Sequence, residues 1–174
     1  MKIGRVVISA EEIDAKLAGM GAQITEDYRD KDLLLVGILK GAFVVMADLA
    51  RHIDLPVEFD FMAVSSYGSA TKSSGVVRIL KDLDQEIDGR HVLIVEDIVD
   101  TGLTLHYLLK NLEVRKPASL SLAALLIKDG VDRPPLDVRY EGFHIPPAFV
   151  IGYGLDYDGK YRNLPYVAEV EDLE

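Results

Sequence analysis

The chain has 174 residues, 49% of them hydrophobic and none of them cysteine. That length suits one domain with a sizeable core, and the missing thiols exclude disulfides, thiolate metal sites and cysteine nucleophiles. Asp plus Glu number 29 against 19 for Lys plus Arg, a formal charge of −10, which argues against the basic surface of a general nucleic-acid binder.

The longest apolar runs, such as Leu33 to Leu39, fall well short of the roughly 18 residues a membrane helix requires. Residues 1–16 lack an apolar segment followed by a small-residue cleavage site, so no secretory signal is read there and the cytoplasm is the expected compartment. Val6 to Ile8 reads as a short strand. Ser9 followed by Glu12 is a capping box, predicting a helix from about Ala10 into the Tyr28 region. "LLLVGILK" (33–40) is a continuous apolar run, the pattern of a strand buried on both faces. "AFVVMADLARHI" (42–53) predicts a helix that ends before Pro56, and "VEFDFMAVSSY" (57–67) a strand.

Residues 68–75, "GSATKSSG", are small and polar and read as a mobile loop. "VVRILKDL" (76–83) predicts a strand and "HVLIVED" (91–97) a second buried one. Leu105, Leu108, Leu109 and Leu112 share one helical face, at i, i+3, i+4 and i+7. "SLSLAALLIKD" (119–129) predicts a strand, and beyond Pro134 and Pro135 the chain turns to loops and short strands. Strands alternating with helices place the chain in the α/β class, with a mostly parallel twisted sheet flanked by helices. Ligands of such sheets bind beyond the carboxyl ends of the strands. Three of those ends carry polar clusters: Leu39-Lys40-Gly41, Glu96 to Thr104, and Ile127-Lys128-Asp129.

The second cluster is the most informative. Asp100-Thr101-Gly102-Leu103-Thr104 lies where a buried strand becomes a helix. Free amides at a helix start, two hydroxyls and a glycine that allows close approach suit a phosphate, and Asp and Thr equally suit a plain N-cap. Glu96 and Asp97 just upstream, with Asp100 after them, raise one another's pKa values. Diol hydroxyls or a hydrated Mg²⁺ would relieve that repulsion. A ribose bearing a 5-phosphate satisfies both halves of the motif. No P-loop or dinucleotide glycine pattern is present.

"VLIVEDIVDTGLTL" (92–105) resembles the phosphoribosyl pyrophosphate (PRPP) signature of type I phosphoribosyltransferases. "LKGAF" (39–43), "SSYGSATKSSGVV" (65–77), "IKD" (127–129) and "FVIGYGLDYDGKYRNLPYV" (149–167) resemble, in order, the hypoxanthine-guanine branch of that family. The resemblance implies one domain over residues 1–174, with a core at about 30–130 and a small hood from about 1–10 and 131–174. It implies that Thr101, Gly102, Leu103 and Thr104 hold the 5′-phosphate, and that Glu96 and Asp97 face the ribose hydroxyls and a metal-bound water. Asp100 would accept a proton near purine N7. Lys40 and Gly41, at a non-proline cis peptide, and Arg162 would contact pyrophosphate. Ser66 and Tyr67 would close over the site with the 68–75 loop as a lid. Lys128 would bond the 6-oxo group of the purine, Phe149 would stack on the ring, Val150 would offer backbone atoms to its edge, and Asp156 would bind a second Mg²⁺. Leu103 departs from relatives that carry a basic residue there, so less electrostatic help is expected for the phosphate.

The implied reaction joins hypoxanthine or guanine to PRPP, with Mg²⁺, giving IMP or GMP plus pyrophosphate in purine salvage; a homodimer or homotetramer is the implied assembly. Xanthine, differing at C2, is the nearest rival substrate. Orotate and adenine enzymes share the PRPP signature but not the Lys128 and Phe149 segments. A nucleic-acid-binding regulator of the same fold is disfavoured by the charge, and a PRPP synthetase by the lack of a recognisable ATP site.

Overall fold

A computed structural model describes residues 1–66 and 77–171. Along the chain run β1 (Lys2–Ile8), α1 (Ala10–Asp27), β2 (Leu33–Leu39), α2 (Ala42–Arg51), β3 (Val57–Ser66), β4 (Val77–Lys81), β5 (His91–Val99), α3 (Leu103–Glu113), β6 (Ser119–Lys128), β7 (Tyr140–Ile145), β8 (Val150–Ile151) and β9 (Val167–Glu171). The capping box forms as expected: the Glu12 amide donates to Ser9 Oγ at 3.1 Å, and the Ser9 amide donates back to Glu12 Oε2 at 2.7 Å. The helix it starts buries Ile13, Leu17, Met20 and Ile24 along one stripe.

Six strands form the main sheet in the order β4-β3-β2-β5-β6-β7. All neighbours pair in parallel except β3 with β4. Alternation along the central strands divides the core between the two faces. Leu33, Leu35, Leu93, Val95, Ala123 and Leu125 join the apolar faces of α1 and α2, whereas Leu34, Val36, Val92, Ile94, Leu122 and Ala124 join Leu105, Leu108 and Leu112 of α3. This explains why "LLLVGIL" carries no polar residue: each side chain meets a helical layer.

Three boundaries differ from expectation. β1 starts at Lys2 rather than Val6, because β9 offers partners along its whole length, from Lys2 opposite Glu171 to Ile8 opposite Val167. β5 continues to Val99, so Glu96 pairs with Ala124 inside the sheet instead of following its end. The main sheet also reaches past residue 130, since β7 pairs in parallel with β6 and buries Tyr140 and Ile145. A separate three-stranded sheet, β1-β9-β8, joins residues from the two ends of the sequence. Tyr67 and the expected lid at 68–75 lie outside the described residues. Among the described residues, no helix is long and apolar enough to cross a membrane.

Candidate active site

Parallel pairing brings the three polar strand ends to one edge. Leu39 lies opposite Ala63, Gly37 opposite Val95 and Val99 opposite Ile127, so Lys40, Asp100 and Lys128 leave adjacent strands on the same side. The peptide between Leu39 and Lys40 is cis, as the resemblance implied. Lys40 is exposed, and Gly41 beneath it is buried. A Cβ on Gly41 would stand 1.8 Å from Asp97 Oδ2, so only glycine lets the acid occupy that place.

The turn after β5 leaves the cap position of the next helix to a glycine. Gly102 is the N-cap residue of α3, with φ +69° and no side chain to close the cap. Asp100 and Thr101 therefore do not cap the helix, and its first turn borders a cavity of about 270 Å³. That cavity is lined by Glu96, Asp100, Thr101, Gly102, Leu103 and Thr104 with Ile38. Gly102 is further constrained from behind, where an added Cβ would meet Leu136 Cδ1 at 2.5 Å.

Glu96 and Asp97 keep some exposed surface but are densely surrounded. Burial, reinforced by the neighbouring Asp97 charge, holds the Glu96 carboxyl well above the usual carboxylate range. Burial also raises Asp97, although the Ile98 amide donates to its Oδ1 at 2.7 Å and the Arg162 charge opposes the shift. Neither acid forms an ion pair among the described residues, so each keeps oxygen lone pairs for something else. Among the described residues no group of three or more acids and histidines is gathered tightly enough to hold a metal. Two oxygen-only acids short of counter-charge fit a hard divalent cation that keeps waters or substrate oxygens in its shell.

The expected purine side is built by contacts distant in sequence. Lys128 Nζ lies 2.9 Å from Asp100 Oδ2, and its side chain is only 15% exposed. Phe149 is exposed, as are Phe43 and Phe59, and its ring lies edge-on to Tyr157 at 5.9 Å. Val150 is buried in β8, and the Phe149 carbonyl accepts from the Val170 amide at 3.1 Å. Asp156 does not stand open for a metal: its Oδ1 lies 3.1 Å from Arg162 Nη2, and its Oδ2 accepts from the Gly159 amide at 2.8 Å. Arg162 also donates to the Gly154 carbonyl at 2.6 Å, which ties it to the loop packed on Gly41. Ser66 ends β3 opposite Val77. Two residues at the site escaped sequence reasoning, Arg133 and Leu136. They follow the lysine strand in an irregular segment, and no local pattern marks their packing on Gly102.

Residues 9–158 match the family described as a phosphoribosyl transferase domain. The chain is 54% identical over 175 residues to hypoxanthine-guanine phosphoribosyltransferase of Mycobacterium avium, covering 97% of this chain and 86% of that protein. It is 50% identical over 165 residues to the protein of the same name from Bacillus subtilis, covering 95% and 92%. The solved structure of a hypoxanthine phosphoribosyltransferase from Staphylococcus aureus superimposes with a TM-score of 0.94 at 44% identity, over 97% of this chain and 92% of that one.

Proposed function

The chain belongs to the phosphoribosyl transferase family, and from that membership we propose that it transfers the 5-phosphoribosyl group of PRPP to hypoxanthine and guanine, giving IMP or GMP and pyrophosphate in purine salvage. The observation that carries the choice of base is the Lys128–Asp100 pair at 2.9 Å. A 6-oxopurine protonated at N7 presents a carbonyl acceptor beside an N–H donor on one edge. Lys128 is a donor and Asp100 an acceptor, so the pair is the complement of that edge. Adenine would set its amino donor against the ammonium, leaving a charged donor facing another donor.

In the reaction the C1′–pyrophosphate bond breaks as the purine nitrogen bonds to C1′, and the proton on N7 passes to Asp100. The Thr101–Thr104 turn receives the 5′-phosphate on backbone amides and hydroxyls, fixing the sugar relative to the base. Glu96 and Asp97 would receive the ribose hydroxyls and, with them, hold hydrated Mg²⁺; Asp156, paired with Arg162 at 3.1 Å, would hold a second ion only if that pair opened. When bound, Mg²⁺ supplies charge to the departing pyrophosphate. Lys40 and the Gly41 amide contact that leaving group, Phe149 stacks on the purine, Val150 contacts its edge through main-chain atoms, and Ser66 and Tyr67 cover the sugar. The protein works in the cytoplasm as a homodimer or homotetramer, which sedimentation tests.

A substrate panel of hypoxanthine, guanine, xanthine and adenine with PRPP and Mg²⁺, followed by absorbance, tests the reading. Turnover of hypoxanthine and guanine is expected, and a preference for xanthine or adenine would overturn the choice of base. Lys128→Ala should erode discrimination against adenine, because the carbonyl loses its charged donor.

A further inference from the structure

Among the described residues, three buried side-chain polar atoms lack a partner: the Tyr28 hydroxyl and the Nε atoms of Arg90 and Arg133. Arg90 is otherwise neutralised, by Asp32 at 3.3 Å and Glu58 at 3.1 Å. Arg133 differs. Its Nη2 donates to the main-chain carbonyl of Lys128, and it enters no ion pair among the described residues. In a chain with 29 acids to 19 bases, a partly buried guanidinium without an acid is conspicuous. Such a group has surrendered hydration in exchange for a neutral acceptor, an arrangement that an incoming anion would improve.

Its place in the fold identifies the anion. Arg133 Cβ lies 3.9 Å from the point where a Cβ of Gly102 would stand, beside the Leu136 contact that supports the same turn. The neighbouring cations are already engaged, Lys128 with Asp100 at 2.9 Å and Arg162 with Asp156 at 3.1 Å. The turn itself has no basic residue, since Leu103 stands between Gly102 and Thr104.

We propose that Arg133 is a positioning residue for the 5′-phosphate: anchored on the Lys128 carbonyl behind the Gly102 turn, its unneutralised charge favours the dianion received by the turn's amides. The proposal rests on the phosphoribosyl reading above and names the group that supplies the cation missing from the turn. The same anchor ties the main chain of the purine-side lysine to the phosphate end, so the two ends of the nucleotide site share one side chain.

The test compares equilibrium binding of IMP and of inosine, which lacks only the phosphate, by calorimetry in the full-length protein. Arg133→Gln keeps a donor for the Lys128 carbonyl but removes the charge. It should weaken IMP by about ten-fold, the size of a modest charge-assisted contact, and leave inosine unchanged. Arg133→Lys should keep most of the preference for IMP. Equal weakening of IMP and inosine in R133Q would mean a purely structural role, and unchanged IMP binding would mean none; either overturns the proposal. Should R133Q fail to fold, the Arg133 Nε–H resonance of the wild-type protein decides. It should move on adding IMP and not on adding inosine, and an unmoved resonance counts against the proposal. Wild-type protein that fails to prefer IMP over inosine would instead overturn the phosphoribosyl reading.

Discussion

Among the described residues, Asp60 and the densely surrounded pair Glu96 and Asp97 are treated in opposite ways. Asp60, on β3, is 3% exposed and fully provided for. The Phe61 amide donates to it at 2.8 Å, the Asp84 and Gln85 amides at 2.9 and 3.2 Å, and Lys81 stands 3.7 Å away. Two strands across, the Ile98 amide donates to Asp97 alone, and neither Glu96 nor Asp97 enters an ion pair among the described residues. They keep their open lone pairs against a cavity and a glycine turn. An acid whose bonding capacity is filled by its own protein holds structure together. An acid buried and left short is a site prepared for an incoming partner.

Substitutions can break or sharpen that contrast, beginning with the group nearest the proposed chemistry. Asp100→Asn removes the proton acceptor but keeps the shape, so turnover should fall by about 10²- to 10⁴-fold while PRPP binding stays near wild type. Equal turnover in steady-state assays would contradict the assignment. Asp60→Ala strands three amides and a lysine, and should cost about 3 kcal/mol, seen as a melting point lower by roughly 6–12 °C. The KM values of the folded enzyme should not move. Glu96→Gln should do the reverse: it removes a charge that burial disfavours, so the protein should melt no lower than wild type, while PRPP affinity drops about ten-fold. If Glu96→Gln melted like Asp60→Ala, the two sites would be the same kind of thing.

The smallest effect concerns the turn after Lys128. His144 bonds Asp129 at 2.7 Å through Nδ1 and Glu141 at 3.0 Å through Nε2, and both acids, Glu141 first, raise its pKa above 6.5. A raised folded-state value means stabilisation that is complete below pH 6.5 and lost as pH climbs through the folded value. Solvent screening keeps that contribution small. Amide exchange at Asp129 and Gly130 should therefore quicken over that range beyond the ordinary base-catalysed rise, and His144→Asn should abolish the excess.

Much of the layout could be read from residue order. The capping box at Ser9, the doubly buried run at Leu33 and the acid-threonine-glycine sequence after Val95 each act through neighbours a few positions away, and pattern captures such effects. What pattern missed was long-range. β7 was read only as part of a region of loops and short strands because "YEGFHI" places a glycine and charged residues in a strand; Gly142 is required there, since an added Cβ would meet the Leu125 carbonyl at 2.1 Å. Arg133 went unread because its importance comes from the carbonyl of Lys128 and the absence of a nearby acid. Asp156 was expected to bind a second Mg²⁺, and its pairing with Arg162 in the structure is a contact that no local pattern marks. The residues carrying Phe149 and Val150 were recognised by resemblance alone, since nothing local separates a stacking phenylalanine from a core one.

The small sheet β1-β9-β8 has a consequence for how the molecule is made. Its pairing joins the two ends of the sequence, with Lys2 opposite Glu171 at the extreme. During synthesis the first strand must wait, unpaired, until residue 171 has cleared the ribosome, whereas β2, β5 and β6 can assemble earlier. The nascent polypeptide thus acquires the Gly102 turn before the small sheet that joins its two ends is complete.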